Sequence, residues 1–169
     1  MAQKHVKTPQ AANESLEGSN QNQTNRPEVA IIRIYIKDLS FEVPSAPEVF
    51  KEIGKTKEPI VDFNLGSNAQ KIAEGVYEVV LKVSVSVKHS DKTTFLIELQ
   101  QGGLFNIKNF PEPQLKQMLG AFCPNILFPY AREIISDLVV RGTFPPFYLP
   151  PVNFDSLYQQ QLEAETKGK

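Results

Sequence analysis

The stretch Tyr77-Glu-Val-Val-Leu-Lys-Val-Ser-Val-Ser-Val-Lys88 decides the fold. Tyr77, Val79, Leu81, Val83, Val85 and Val87 share one face of an extended chain, while Glu78, Lys82, Ser84, Ser86 and Lys88 share the other. A period of two marks a strand with one face against a core, because successive strand side chains point to opposite sides. His89-Ser90-Asp91-Lys92 reads as a hairpin turn, and Phe95, Ile97 and Leu99 carry the apolar face onto a returning strand. Gly102-Gly103 predicts a bulge or kink before Leu104-Phe105-Asn106-Ile107.

Upstream, the alternation holds but changes phase. Even positions are apolar in Ala30–Ile36, and odd positions in Leu39-Ser40-Phe41-Glu42-Val43. The switch near Lys37-Asp38 predicts a bulge or a break that turns Asp38, Ser40 and Glu42 together onto one side. Pro44 and Pro47 end that strand, a polar stretch runs to Pro59, and Ile60–Leu65 alternates again. Four strands on short links predict an antiparallel meander.

Beyond Pro111 the period becomes helical. Leu115, Met118, Leu119 and Phe122 form one stripe. A second helix carries Tyr130, Ile134, Ile135, Leu138 and Val139, with Pro129 near its start and Gly142 as C-terminal cap. Thr143-Phe-Pro-Pro-Phe-Tyr-Leu-Pro-Pro151 is too rich in proline for regular structure and reads as a stiff loop displaying Phe144, Phe147, Tyr148 and Leu149. Those rings either cover their own core or wall an apolar groove. Asn153 is placed to cap a last helix with the stripe Phe154, Leu157, Tyr158 and Leu162. Strands first and helices last give an α+β fold, a four-stranded antiparallel sheet with helices packed on one face.

Composition narrows the function. The chain has 169 residues, enough for one domain, with 41% apolar residues and a net charge of −1. Near-neutral charge speaks against an electrostatic nucleic-acid binder. No apolar run approaches the ~18 residues of a membrane span, which predicts no direct membrane insertion, and the N-terminus lacks the apolar core of a secretory signal. The lone Cys123 excludes an internal disulfide framework and fits a reducing cytoplasm. Residues 1–28 contain twelve Asn, Gln, Ser or Thr and no aromatic side chain, so they read as a disordered N-terminal tail. The folding domain is expected over 29–162, and 163–169 as a disordered C-terminal tail.

Catalysis finds little support. His5 lies in the tail, and His89 lies at a hairpin tip between Lys88 and Lys92, a poor place to organise a triad. Cys123 between Phe122 and Pro124 reads as a small core thiol. No metal ligand set or cofactor motif stands out, so no cofactor is expected. More suggestive is the outer face of the first and fourth strands. Asp38 and Glu42 on one, with Leu96 and Glu98 on the other, make either a solvated sheet face or a carboxylate patch with an apolar contact, suited to a basic partner.

Arg33-IYIKDLSFEVPSAPEV-Phe50, VYEVVLKVSV, FLIELQQGGLF, LGAFCPNILFPYAREIISDLVVRGTFPP and PVNFDSLY resemble, in this order, the SecB family of bacterial protein-export chaperones over residues 33–160. The resemblance implies a cytoplasmic, ATP-independent chaperone, not an enzyme. Such a protein keeps unfolded precursor proteins translocation-competent and delivers them to the SecA translocase motor. It also implies a homotetramer built as a dimer of dimers. The family docks SecA on an acidic sheet face, a pattern met here by Asp38, Ser40, Glu42, Leu96 and Glu98. Its client groove maps by position onto Val61, Phe63, Leu65, Phe144, Phe147, Leu149 and Leu157. The loop KEIGKTKEP lacks the Trp common there, and the tail beyond Tyr158 is less acidic than in many members. Two other functions stay in view: a SecB-like chaperone that guards an antitoxin or acts as a general holdase, and an oligomeric α+β hydrolase using a carboxylate.

Overall fold

The computed structural model describes residues 26–51, 58–89 and 92–167. Its frame is a four-stranded antiparallel sheet: β1 (Glu28–Glu42), β2 (Ile60–Ala73), β3 (Val76–His89) and β4 (Lys92–Lys108). β2 and β3 are joined by Glu74-Gly75, where Gly75 takes a φ of +69°, a conformation that costs glycine little. The β3–β4 hairpin closes with His89 paired to Lys92, and Ser90-Asp91 between them lie outside the described residues.

The spatial order is β1-β4-β3-β2, which corrects the expected meander. Only β2, β3 and β4 follow one another as hairpins. That leaves the far edge of β4 open, and β1 takes it, so the chain has to return from there to β2 at the opposite edge. A 3₁₀ turn at Glu48–Lys51 in this return buries Val49. Most of the Trp-less loop, residues 52–57, lies outside the described residues.

The expected bulge in β1 is present: pairing with β4 shifts between Ile36 and Asp38, so Lys37 is the extra residue. A second shift, between Ile31 and Arg33, is one the sequence concealed, because Ile31 and Ile32 are both apolar. No shift occurs at Gly102-Gly103, contrary to expectation; β4 runs straight through, and the two glycines make room for neighbours. A Cβ on Gly102 would stand 2.7 Å from the Tyr35 ring, and one on Gly103 2.6 Å from the Phe105 ring. β2 continues to Ala73, beyond the apolar alternation, because its polar half still pairs with β3, one residue to one as far as Lys71 and then with Ile72 as an extra residue.

Helices cover one face of the sheet. α1 (Glu112–Gln117), a π turn (Met118–Phe122) and α2 (Cys123–Arg141) form one continuous run rather than two separate helices. Pro124 cannot donate to the carbonyl four residues back and its ring crowds it; a π turn relieves both at the cost of one extra residue. That residue throws Phe122 out of the expected stripe and leaves it exposed, while Ala121 and Cys123 are buried. Pro129 sits inside α2 instead of at its start, and the buried side of α2 is Leu127, Phe128, Ala131, Ile135 and Val139, with Tyr130 facing out. α2 packs on β3 and β4, where Leu81, Val83, Val85, Ile97, Leu99 and Phe105 are almost wholly buried.

Asn153 caps α3 (Phe154–Lys167) as expected, its Oδ1 accepting from the Ser156 amide at 3.0 Å. α3 runs five residues beyond 162, through Glu163, Ala164 and Glu165, good helix formers that extend it past the boundary drawn from the apolar stripe. β1 likewise begins at Glu28, one residue before the expected domain start, and residues 1–25 lie outside the described residues.

Candidate functional site

Strand register sets the geometry of the outer sheet face, because directly paired residues share a face. Three successive rows cross all four strands, from β2 to β1. They read Asp62–Ser86–Leu96–Glu42, then Asn64–Ser84–Glu98–Ser40, then Gly66–Lys82–Gln100–Asp38. All five residues of the expected acidic patch therefore meet at the β1–β4 edge. Ser40 lies directly opposite Glu98 and Glu42 opposite Leu96, while Asp38 and Glu42 are both diagonal to Glu98, roughly 7–8 Å away for such neighbours. The bulge at Lys37 places them there. Without it, Asp38, Ser40 and Glu42 would point into the core and Leu39 and Phe41 into solvent.

Asp38, Glu42 and Glu98 are exposed, and Ser40 and Leu96 half-buried. Gln100 Nε2 approaches Asp38 Oδ2 at 3.5 Å, which leaves the remaining carboxylate lone pairs to solvent or a partner. A shallow depression of about 390 Å³ lies beside them, lined by Asp38, Glu98, Gln100, Lys82, Ser84 and Asn64. Lys82, Ser84 and Asn64 were not singled out in the sequence; they belong to the patch only because β3 and β2 continue its rows. Chemically this is a flat anionic surface with one apolar contact, able to bind a compact basic segment but not to enclose a substrate.

The expected groove residues separate. Val61, Phe63 and Leu65 stand on the helix side of β2, at the sheet edge away from β1. Val61 is exposed, Phe63 and Leu65 half-buried. Phe144 and Leu149 are core residues, only 5% and 1% exposed, which corrects their reading as groove walls. Phe144 packs among Phe41, Phe50 and Phe95, its ring centre 4.9 Å from that of Phe95, so the proline-rich loop closes the β1–β4 side of the core. Phe147 is half-buried, and its carbonyl accepts from Ser136 Oγ at 3.1 Å, which ties the loop along α2. Leu157 on α3 is 43% exposed.

The exposed apolar surface lies elsewhere on this loop. Tyr148 is 67% exposed and, with Phe128, Pro129, Val140 and Pro146, lines an open channel of about 620 Å³ between loop and α2. Tyr148 was visible in the sequence as a loop aromatic. Val140 was not, since nothing local distinguishes it from its neighbour Val139, which is fully buried.

Cys123 is buried, and burial pushes its thiol up to about 12, so it stays protonated and unreactive at neutral pH. His89 shares a hydrogen bond of 2.8 Å between Nδ1 and Thr94 Oγ1, at the mouth of a small depression with Ser45, Glu48 and Lys92. Among the described residues, no three of His, Cys, Asp and Glu stand close enough to hold a metal ion, and no helix is long and apolar enough to cross a membrane.

Comparison with known proteins bears on this arrangement. The family model described as preprotein translocase subunit SecB matches residues 22–165. The protein-export protein SecB of Methylococcus capsulatus is 50% identical over 145 residues, covering 86% of this chain and 92% of its own length. That of Psychrobacter arcticus is 51% identical over 143 residues, covering 83% and 94%. In structure, the SecB-like chaperone of Mycobacterium tuberculosis, solved in complex with a ChAD peptide from an antitoxin, superposes with a TM-score of 0.60 at 17% identity, covering 73% of this chain and 90% of its own. That likeness is one of fold. Sequence identity of half over most of both chains, together with the matching family model, establishes that this chain belongs to the SecB family.

Proposed function

We propose that this protein is an ATP-independent cytoplasmic chaperone of protein export, which binds unfolded precursors, keeps them translocation-competent and hands them to the SecA motor. The observation that carries the reading is the identity of about half with protein-export SecB relatives across more than four-fifths of the chain. Identity at that level favours export over the antitoxin role, for which the likeness is 17%.

The physical arrangement supports two separate surfaces. Clients bind through Val61, Phe63, Leu65, Phe147 and Leu157, to which Tyr148 is added, with Phe144 and Leu149 supporting the loop from beneath. Apolar burial contributes about 25 cal/mol per Å² whatever the sequence of the client, so selection is for chains that expose such surface. Folded proteins hide it and are ignored. The motor docks on Asp38, Ser40, Glu42, Leu96 and Glu98, on the opposite face of the sheet.

Assembly as a homotetramer fits the edge strand β1, where Ile31, Ile32 and Ile36 are each about half exposed in one subunit. Half-exposed isoleucines on an open strand edge are an aggregation hazard unless another subunit covers them. Summing several weak sites over four subunits gives avidity for a long client.

The deciding experiment dilutes a denatured precursor into buffer containing the purified protein and no nucleotide. Refolding is expected to stop once the protein is in molar excess over the client. Refolding at the spontaneous rate would overturn the reading.

A further inference from the structure

Glu78 is a carboxylate in a place that needs explaining. It points to the outer, solvent side of the sheet, yet it is only 7% exposed. Burying a charge is costly unless donors replace its water. Both oxygens are occupied. Lys37 Nζ reaches Oε1 at 2.8 Å and Oε2 at 2.7 Å, Gln70 Nε2 donates to Oε2 at 2.6 Å, and the Tyr35 hydroxyl donates to Oε1. One β3 side chain thus gathers donors from β1 and β2.

Tyr35 and Lys37 flank Ile36, at the bulge of β1, and β4 lies between them and Glu78. To reach across β4, the Tyr35 ring lies over Gly102, where any side chain would collide with it. The same bulge is held from below. Gln101, 2% exposed on the helix side of β4, donates Nε2 to the Tyr35 carbonyl at 2.9 Å, although its own Oε1 finds no partner among the described residues. Leaving a buried amide oxygen unsatisfied costs stability. The bulge is therefore fastened on both faces of the sheet.

Hydrophobic patterning places the extra residue near Lys37 but holds it there only loosely. Ile31, Ile34 and Ile36 pair with helix-side positions of β4, yet Ile31, Ile32 and Ile36 are each about half exposed, so burial holds the phase of the N-terminal half of the strand only weakly. We propose that Glu78 is a positioning residue which, through Tyr35 and Lys37, clasps the bulge of β1 at Lys37 and thereby holds Asp38, Ser40 and Glu42 in phase with Glu98. The consequence for docking rests on the assignment of that face to the motor. The clasp itself does not. Being covered by its own donors, Glu78 has no oxygen free for a partner, so any effect it has on docking passes through the strand.

The test compares Glu78→Gln and Lys37→Met with the unaltered tetramer, using amide hydrogen exchange, motor binding and client capture. Both variants are expected to speed exchange of the Lys37–Glu42 amides by about tenfold or more while the Val79–Val87 amides keep their protection. Motor affinity is expected to fall about fivefold to tenfold, with client capture within twofold of the original. Unchanged exchange at Lys37–Glu42, or a rise spread evenly over all four strands, would overturn the clasp. Tyr35→Phe removes only one donor and repeats the exchange measurement if Glu78→Gln fails to fold. Glu98→Lys is measured alongside: if it leaves motor binding intact, the docking assignment falls, and the clasp is still decided by the exchange pattern.

Discussion

Phe144→Ala separates a loop that seals the core from a loop that grips clients. Phe144 is 5% exposed, and its ring lies 6.5 Å from Phe41, 5.6 Å from Phe50 and 4.9 Å from Phe95 between centroids. Truncating a buried Phe costs about 3–5 kcal/mol, and aromatic pairs at such distances add about 0.5–1.5 kcal/mol each beyond their area. The backbone around it has little freedom to collapse into the space, because Gly142 already stands against Phe41 and Phe144 with no room for a Cβ. The upper part of the range, about 4–5 kcal/mol, is therefore expected. For a chain of this size that is a fall in Tm of about 10–20 °C. Tyr148→Ala is the matched control: at 67% exposure it should change stability by less than about 0.5 kcal/mol. Thermal unfolding followed by circular dichroism, at one fixed protomer concentration, measures both, because dissociation of an oligomer would otherwise shift Tm. Client capture is then read from suppression of refolding, and Tyr148→Ala should weaken it. The reasoning is refuted if Phe144→Ala melts within a few degrees of the original protein yet loses its clients.

Charge reversal on the outer face should act on the motor alone. Glu98→Lys changes the local charge by two units, worth about 2 kcal/mol against a cation at 4 Å in water and less in salt, so motor affinity should drop about tenfold in calorimetry while client binding and tetramer size hold. Equal losses for motor and client would sink the separation of the two surfaces. Tyr35 is held up at about 12, first by burial and then by its hydrogen bond to Glu78. In an ultraviolet titration of the five tyrosines one should therefore ionise late, and Tyr35→Phe should remove that step. Because the folded value is raised, the stability it carries is complete below about pH 10 and is lost as pH rises towards 12. Glu78 moves the other way: Lys37 and then Tyr35 hold its carboxyl below the ordinary 4.5, so its contribution is present above that value and fades as pH falls through the lowered one. Acid unfolding of Lys37→Met should begin at higher pH than that of the unaltered protein; a coincident curve would count against the ion pair.

Much of this was legible because alternation is a local signal. The two phases of β1 announced the bulge, and the bulge in turn announced that Asp38, Ser40 and Glu42 share a face. What alternation does not encode is which strand lies beside which. The patch became a patch only when β1 took the open edge of β4, a consequence of β2, β3 and β4 being consecutive hairpins. The loop aromatics failed for a similar reason. Phe144 and Tyr148 are equivalent in a proline-rich stretch, and only the aromatic cluster contributed by Phe41, Phe50 and Phe95, 49 to 103 positions away in the chain, decides that one is core and the other surface. In the first helical stripe Phe122 went astray because the π turn before Pro124 resets the helical phase, a shift invisible to any fixed period, whereas in α2 only Tyr130 leaves the expected stripe.

Glu78 marks where sequence reading stops and geometry takes over. In the alternating strand it is one of five polar residues on the outer side, no different in pattern from Lys82 or Lys88. Its burial follows from features on three other strands. A missing side chain at Gly102 lets Tyr35 cross β4, an extra residue at Lys37 brings an ammonium group to the same face, and Gln70 closes the remaining side. Residues that would touch a partner stand out by charge and exposure, whereas those that aim them are covered by their own contacts and look structural. A carboxylate that faces solvent by strand parity and is nonetheless buried by its neighbours is therefore a sign that position, rather than contact, is what the residue supplies.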